Sequence, residues 1–492
     1  MSDSLPGTAG PGALGLLMTI LPKIPLVVKI ILLHVLRRSE TSKYLDLKTD
    51  VTISVLRSTL NSGKPVAIAE TQAMTKRDPG VKGRVWISTT ASKVPPEQGI
   101  RDALLAAIDG LRDPDARGAE PAFKIPDIVP VEAEWTGYRA DATKDSTPPA
   151  ISEEEKYREL MKETKNSSTI LYFHGGAYYV CDPITHRDVV KRLAKAVGGR
   201  AYSVRYRLAP QGAFPSAVLD ALVSYFTLLY PPPGSWHEAV APSDIVFSGD
   251  SAGGNLALAL LRTLMEIRQQ KRKIAWFGME REVPLPAGVA TMSPWVDPVQ
   301  TFPSLVTNQQ WCYLPPPMLL SETYKPKPDH LWPTEPPRRH IYVDDAYLLH
   351  PLCTLQMMKS WEGAPPIYVC CGWETIADED RYLVSKLRRD GVTVVFEEYE
   401  AMPHVFTTLL PQLAESRRSI EGLAKFINAV CEDPGKVPSS YKTIKAKTLE
   451  EVEIDVSKLS PYSDEQAWDL ARKTVEELKL SQAPVPNVPA ML

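Results

Sequence analysis

A five-residue string, Gly249-Asp250-Ser251-Ala252-Gly253, is the part of this chain best suited to covalent catalysis. A serine hydroxyl is a weak nucleophile until a neighbouring base takes its proton. Glycines two positions before and after the serine allow a turn too tight for side chains, and such a turn between a strand and a helix lifts the serine Oγ above the sheet. Residues 245–248 form an apolar run of strand length, and 255–270 follow with helical periodicity. The turn therefore points a helix N-terminus and the Ala252 amide at any carbonyl that Ser251 attacks.

A second glycine turn, His174-Gly175-Gly176-Ala177-Tyr178, comes directly after another apolar run, 169–173. Glycine pairs let backbone amides turn inward without Cβ clashes. The amides of Gly175, Gly176 and Ala252 are the expected oxyanion donors, with His174 orienting the loop and with Tyr178 and Asp182 within possible reach of substrate. Strand, Gly-x-Ser-x-Gly and helix together make the nucleophile elbow of the α/β hydrolases, whose triads run serine, acid, histidine along the chain. Of the histidines after Ser251, His330, His340 and His350 lie among prolines, whereas His404 follows a last apolar run, 392–399. His404 is the expected base. The acid belongs after the run 367–371, where Glu374 and Asp378 are the candidates. Asp378 and Glu379 suit the start of a helix, where the dipole stabilises carboxylates, so Glu374 is favoured.

Elements must hold these groups in place. Apolar runs at 169–173, 201–206, 245–248, 288–291, 367–371 and 392–399 alternate with helical patterns at 187–197, 255–270, 378–389 and 413–431. That alternation predicts a mainly parallel sheet covered on both faces. Strands at 81–89 and 129–137 and a helix at 100–111 precede it, and 151–165 reads as a charged helical connector. After Cys431 the core pattern stops, leaving a polar tail with one helix, 464–480. The chain has 45 prolines, dense between Pro284 and Pro366, and proline has no amide to donate to a helix or central strand. That region is expected to be an ordered but irregular excursion. The expected organisation is 1–45 as a membrane-associating segment, 46–130 as an N-terminal cap region, 131–432 as the catalytic core with the excursion at 298–360, and 433–492 as an extension.

With 492 residues the chain can hold one large decorated core or two to three domains. A net charge of −3 gives no basis for a nucleic-acid partner. Six cysteines, two of them the adjacent Cys370 and Cys371 and the rest scattered, do not form a disulfide framework. No zinc-spaced or phosphate-cradling motif occurs, so no metal or cofactor is expected. Residues 13–36 are apolar apart from Pro22, Lys23, Pro25, Lys29 and His34, and Arg37-Arg38 close the stretch. A lysine near the middle costs about 2.5–3.5 kcal/mol on insertion scales, and the prolines break a straight helix. A single span, a hairpin dipping into one leaflet, an interfacial helix over 26–36 and a helix buried against the catalytic domain all compete. Membrane contact through 13–36 is the expectation.

The chain resembles the hormone-sensitive-lipase-like family of α/β hydrolases. The resemblance rests on His174-Gly-Gly-Ala177, Tyr206-Arg-Leu-Ala-Pro210 with Phe214-Pro215 and Asp220, Gly249-Asp-Ser-Ala-Gly-Gly-Asn255 and Ser293-Pro-Trp-Val-Asp297, and covers roughly residues 130–430. The family's Asp-x-x-x-Asp-Glu reads Glu374-Thr-Ile-Ala-Asp378-Glu379 here, which makes Glu374 the acid where the family usually has aspartate. The usual His-Gly-Phe reads His404-Val405-Phe406. The resemblance implies serine-dependent hydrolysis of a small hydrophobic ester. Within the family the chain looks most like fungal steryl acetyl hydrolases, membrane-bound sterol deacetylases, which implies an acetylated sterol or other lipid substrate at the endoplasmic reticulum membrane. Two rivals remain: a ligand-binding receptor on the same fold, against which the presence of His404 argues, and amide cleavage or acyl transfer by the same triad.

Overall fold

The computed structural model describes residues 21–61, 65–316 and 326–481. Its strands are β1 (Val85–Ala91), β2 (Glu132–Tyr138), β3 (Thr169–Phe173), β4 (Arg200–Arg205), β5 (Ile245–Asp250), β6 (Ile274–Trp276), β7 (Met279–Arg281), β8 (Gly288–Met292), β9 (Ile367–Gly372), β10 (Val394–Tyr399), β11 (Ser440–Ile444) and β12 (Glu451–Glu453). Ten of them form one sheet in the order β1-β2-β4-β3-β5-β8-β9-β10-β11-β12, and β6 and β7 form a separate hairpin. Every pairing from β4 to β11 is parallel. β1, β2 and β12 join antiparallel at the two edges.

The longer helices are α1 (Ile24–Val35), α2 (Leu47–Leu60), α3 (Ile68–Thr75), α4 (Gly99–Leu111), α5 (Glu153–Glu163), α6 (Pro183–Val197), α7 (Ser216–Leu229), α8 (Ala252–Gln269), α9 (Ala377–Arg389), α10 (Ala414–Glu432) and α11 (Asp464–Ser481). Side chains alternate across a strand, so a sheet covered on both faces needs two cores. Leu171 and Phe173 of β3 enter one core with residues of α4, α7 and α8. Ile170 and Tyr172 enter the other with residues of α6 and α10. Strands buried on both sides read as unbroken apolar runs, which is why β3, β5 and β9 stand out in the sequence.

One expectation is corrected. The chain beyond Cys431 is not a polar tail: β11 pairs in parallel with β10, and Ile444 is fully buried. α11 docks as well, with Asp464 on Lys386 at 3.0 Å and Arg389 at 2.6 Å, and Trp468 Nε1 donating to the Gln356 carbonyl at 2.7 Å. The apolar N-terminus holds no membrane span among the described residues, since no helix there is long and apolar enough. α1 has 12 residues, and residues 13–20 lie outside the described part. His34 of α1 and Lys23 just before it reach α2, with Lys23 Nζ on Ser58 Oγ at 3.0 Å and His34 on Asp50 at 2.9 Å. The proline-rich stretch is irregular where described, with one-turn helices at Ser304–Thr307, Asp345–Tyr347 and Leu355–Met357.

Candidate active site

Ser251 stands between β5 and α8 at φ 52° and ψ −121°, a left-handed conformation that a non-glycine residue adopts only when its surroundings impose it. A Cβ on Gly249 would lie 2.4 Å from the Gly253 carbonyl, and one on Gly253 would lie 2.0 Å from the Phe173 carbonyl. Both glycines are therefore required by close backbone approach. The Ser251 amide donates to the Met292 carbonyl at 3.0 Å, and the Trp295 amide donates to the Ser251 carbonyl at 2.9 Å. The elbow is thereby laced to the segment that carries Ser293.

Ser293 leads to Glu374. Its Oγ donates to Glu374 Oε1 at 2.5 Å, and the Gly372 amide reaches the same oxygen at 3.1 Å. The other carboxylate oxygen, Oε2, bonds His404 Nδ1. Glu374 is fully buried and His404 nearly so. The Val405 amide donates back to Ser293 Oγ at 3.2 Å, which closes a ring of contacts around Glu374 and His404. Asp378 is elsewhere: it accepts from the Ser304 amide at 3.0 Å and pairs with Arg381 at 3.1 Å. Ser293 was quoted above only as part of a motif, with no role attached to it. A serine carries no signal of this kind until the strand ends are brought together.

The glycine turn is more constrained than its sequence suggests. Gly176, Ala177, Tyr178 and Cys181 all have positive φ, at 112°, 49°, 65° and 72°. The expectation for Gly175 needs correction, because its amide donates to Asp250 Oδ1 at 3.1 Å. A Cβ there would also strike Asp250 Oδ2 at 2.4 Å, so this glycine serves packing against the elbow. Asp250 also takes the Tyr172 hydroxyl at 2.6 Å and His186 Nε2 at 3.2 Å. Burial opposes its charge, but His186 and these hydrogen bonds hold it below the usual carboxylate range. Burial likewise disfavours the His186 cation, and Asp250 outweighs it and raises that imidazole. His174 is the opposite case: burial, with His186 close by, pushes it down to about 4, so it is neutral at pH 7. It is held in place by the Tyr206 ring stacked 4.3 Å away and by its own Nδ1 against the Gly175 carbonyl.

Neither expected substrate contact on this loop is free for that purpose. The Tyr178 hydroxyl donates to Asn255 Oδ1 at 2.7 Å, and its ring stacks on Tyr342 at 3.6 Å. Asp182 caps α6 through the Ile184 amide and pairs with Arg205 at 2.7 Å. Among the described residues no group of three or more His, Cys, Asp or Glu side chains could hold a metal ion.

Residues 170–408 match a family model described as alpha/beta hydrolase fold. The chain is 29% identical over 264 residues to an acetyl-hydrolase of Streptomyces hygroscopicus, covering 54% of this chain and 76% of that one. It is 26% identical over 276 residues to an esterase of Acinetobacter venetianus, covering 55% and 78%. A hormone-sensitive lipase from a metagenome library superposes with a TM-score of 0.52 at 22% identity, covering 79% of this chain and 99% of its own.

Residues 170–408 are an α/β hydrolase domain.

Like its relatives, this α/β hydrolase is a carboxylic ester hydrolase. Crystals of EstE5 soaked with p-nitrophenyl butyrate give a similar likeness of fold, with a TM-score of 0.53 at 22% identity over 78% of this chain and 99% of that one. The matched stretch holds the elbow, the glycine turn, Glu374 and His404, and leaves α1–α5, β1, β2 and everything after residue 408 outside it.

Proposed function

We propose that the chain hydrolyses short-acyl esters of hydrophobic alcohols by two-step acyl transfer, with Ser251 as nucleophile, His404 as base and Glu374 as acid. The observation that carries this reading is the Glu374–His404 contact, since a carboxylate on Nδ1–H leaves Nε2 as the nitrogen that accepts the Ser251 proton. The alkoxide attacks the ester carbonyl. The amides of Ala252 and Gly176 stabilise the oxyanion, and the Ala177 amide, next along the same turn, takes the place assigned to Gly175. His404 then returns the proton to the departing alcohol, and water resolves the acyl-enzyme by the same route.

Short acyl groups are supported by the similarity to an acetyl-hydrolase. A hydrophobic alcohol is supported by the apolar surroundings of Glu374, whose neighbour Trp373 packs with Tyr44 and Trp311, ring centroids 5.3–5.6 Å apart, against the sheet core. An acetylated sterol fits both criteria. The test is turnover of acetyl and longer-chain esters of sterols and p-nitrophenol by wild type and Ser251→Ala. The serine variant should lose several orders of magnitude in kcat, as triad deletions do. Unchanged turnover in a folded variant overturns the reading.

The membrane contact is proposed to be interfacial. Ile24, Val28, Ile31, Leu32 and Val35 occupy one stripe of α1 and are all exposed, Val35 at 66%. Lys29, Arg37 and Arg38 flank them. An apolar stripe edged by cations suits a helix lying in an anionic bilayer surface.

A further inference from the structure

We infer that Gln72 is a positioning residue for the oxyanion turn, acting from a helix outside the stretch that the α/β hydrolase family model matches. Gln72 lies in α3 and is 5% exposed. Its Nε2 donates to the carbonyls of Tyr179 and Ala209, each at 2.9 Å, and its Oε1 accepts from Gln211 Nε2 at 2.8 Å. One turn along the same helix, Thr75 Oγ1 accepts the Cys181 amide at 3.1 Å. α3 is thus stitched to the far end of the turn through both a carbonyl and an amide.

These stitches act on the amides assigned to the oxyanion. The Tyr179 and Val180 amides both donate to the Gly176 carbonyl at 3.0 Å, so the position of Tyr179 sets the plane of the Gly176–Ala177 peptide. The Ala209 amide donates to the Tyr178 carbonyl at 2.9 Å, so Gln72 also reaches the turn through Ala209. Three non-glycine residues with positive φ would relax without such restraint. A turn held by only its own short-range bonds cannot fix donors to the tolerance that oxyanion stabilisation needs. α3 itself is anchored from outside, with the Ala69 amide on Asp329 Oδ2 at 2.8 Å and the Lys327 amide on the Val66 carbonyl at 3.2 Å. The proline-rich excursion therefore supports the helix that supports the turn.

This inference rests on the Ser251 reading above, and the two fail separately. Gln72→Met keeps the length and volume of the side chain and removes its hydrogen bonds, while Thr75→Val removes the second stitch at constant shape. Each is compared with wild type and Ser251→Ala on a p-nitrophenyl ester. Gln72→Met should lower kcat by about 10- to 100-fold with KM changed less than about threefold, the scale expected when donors are misplaced by a fraction of an ångström. Inhibition by an aryl trifluoromethyl ketone, whose adduct carries the oxyanion, should weaken in parallel. Competitive binding of the product alcohol, which carries no oxyanion, should not change. Thr75→Val should show the same pattern at about 3- to 10-fold and serves alone if Gln72→Met does not fold. Wild-type kcat in both variants, or ketone and alcohol weakening together, overturns the positioning role. Full activity in Ser251→Ala would instead overturn the reading beneath it.

Discussion

Glu374→Gln keeps the size of the side chain but removes the charge facing the His404 ring. The amide could offer an NH₂ where Oε2 now accepts, which would favour the wrong imidazole tautomer, so kcat should fall on the order of 10³- to 10⁴-fold. Asp378→Asn should cost less than about threefold, because Asp378 bonds only the Ser304 amide and a half-exposed arginine. Steady-state kinetics of the pair on one ester checks both, and a larger loss in the Asp378 variant would reverse the assignment. The Glu374–His404 pairing was legible in the sequence because a glutamate follows a strand while its rival starts a helix. Ser293 was not, since its hydroxyl matters only where the ends of β8 and β9 lie side by side.

At the scale of elements, α1 carries the clearest prediction. Full-length protein should float with phosphatidylcholine vesicles, and more strongly when they contain phosphatidylserine, because Lys29, Arg37 and Arg38 edge the stripe. Val28→Glu with Leu32→Glu places two charges on the exposed apolar face and should abolish flotation, while turnover of a water-soluble ester stays within twofold. Wild-type protein that stays with the soluble fraction would remove the interfacial role. The long central strands were read within a few residues of their bounds, since burial on both faces makes their sequences apolar throughout. β11, reading Ser-Tyr-Lys-Thr-Ile, could not be read this way, because a strand near the sheet edge needs few apolar residues.

For the molecule as a whole, buried titratable groups set the pH range of stability. Burial pushes His174, His340 and His350 each down to about 4. His350 shows why: Nε2–H donates to the Ile108 carbonyl at 3.0 Å while Nδ1 accepts the Leu352 amide at 3.1 Å, so only the neutral ring fits. The unfolded chain protonates first, near 6.5, so these groups remove stability as pH falls from about 6.5 to about 4. Asp297 works the other way. Burial raises it to about 6, so its contribution is complete below the ordinary carboxylate value and is lost as pH rises through about 6. His350→Gln should therefore flatten the rise of the urea midpoint between pH 4 and 6.5, and Asp297→Asn should steepen it. Each effect should be up to about 3 kcal/mol. Parallel midpoint curves for wild type and both variants would contradict this account.

The sequence by itself determined the chemistry. Local constraints write themselves into residue types: two glycines where an added Cβ would lie 2.0–2.4 Å from a carbonyl oxygen, a serine between a strand and a helix, and a histidine after the last parallel strand of the core pattern. Tertiary structure alone decided which amides remain available in the glycine turn. The Gly175 amide is taken by Asp250, a residue 75 positions away, and no local pattern records that contact. It also decided that the chain after Cys431 belongs to the sheet and that α3 is bonded to the glycine turn. The physical reason is the same in each case. Hydrogen bonds between distant segments satisfy donors and acceptors that every residue carries, so they leave no trace in composition or periodicity.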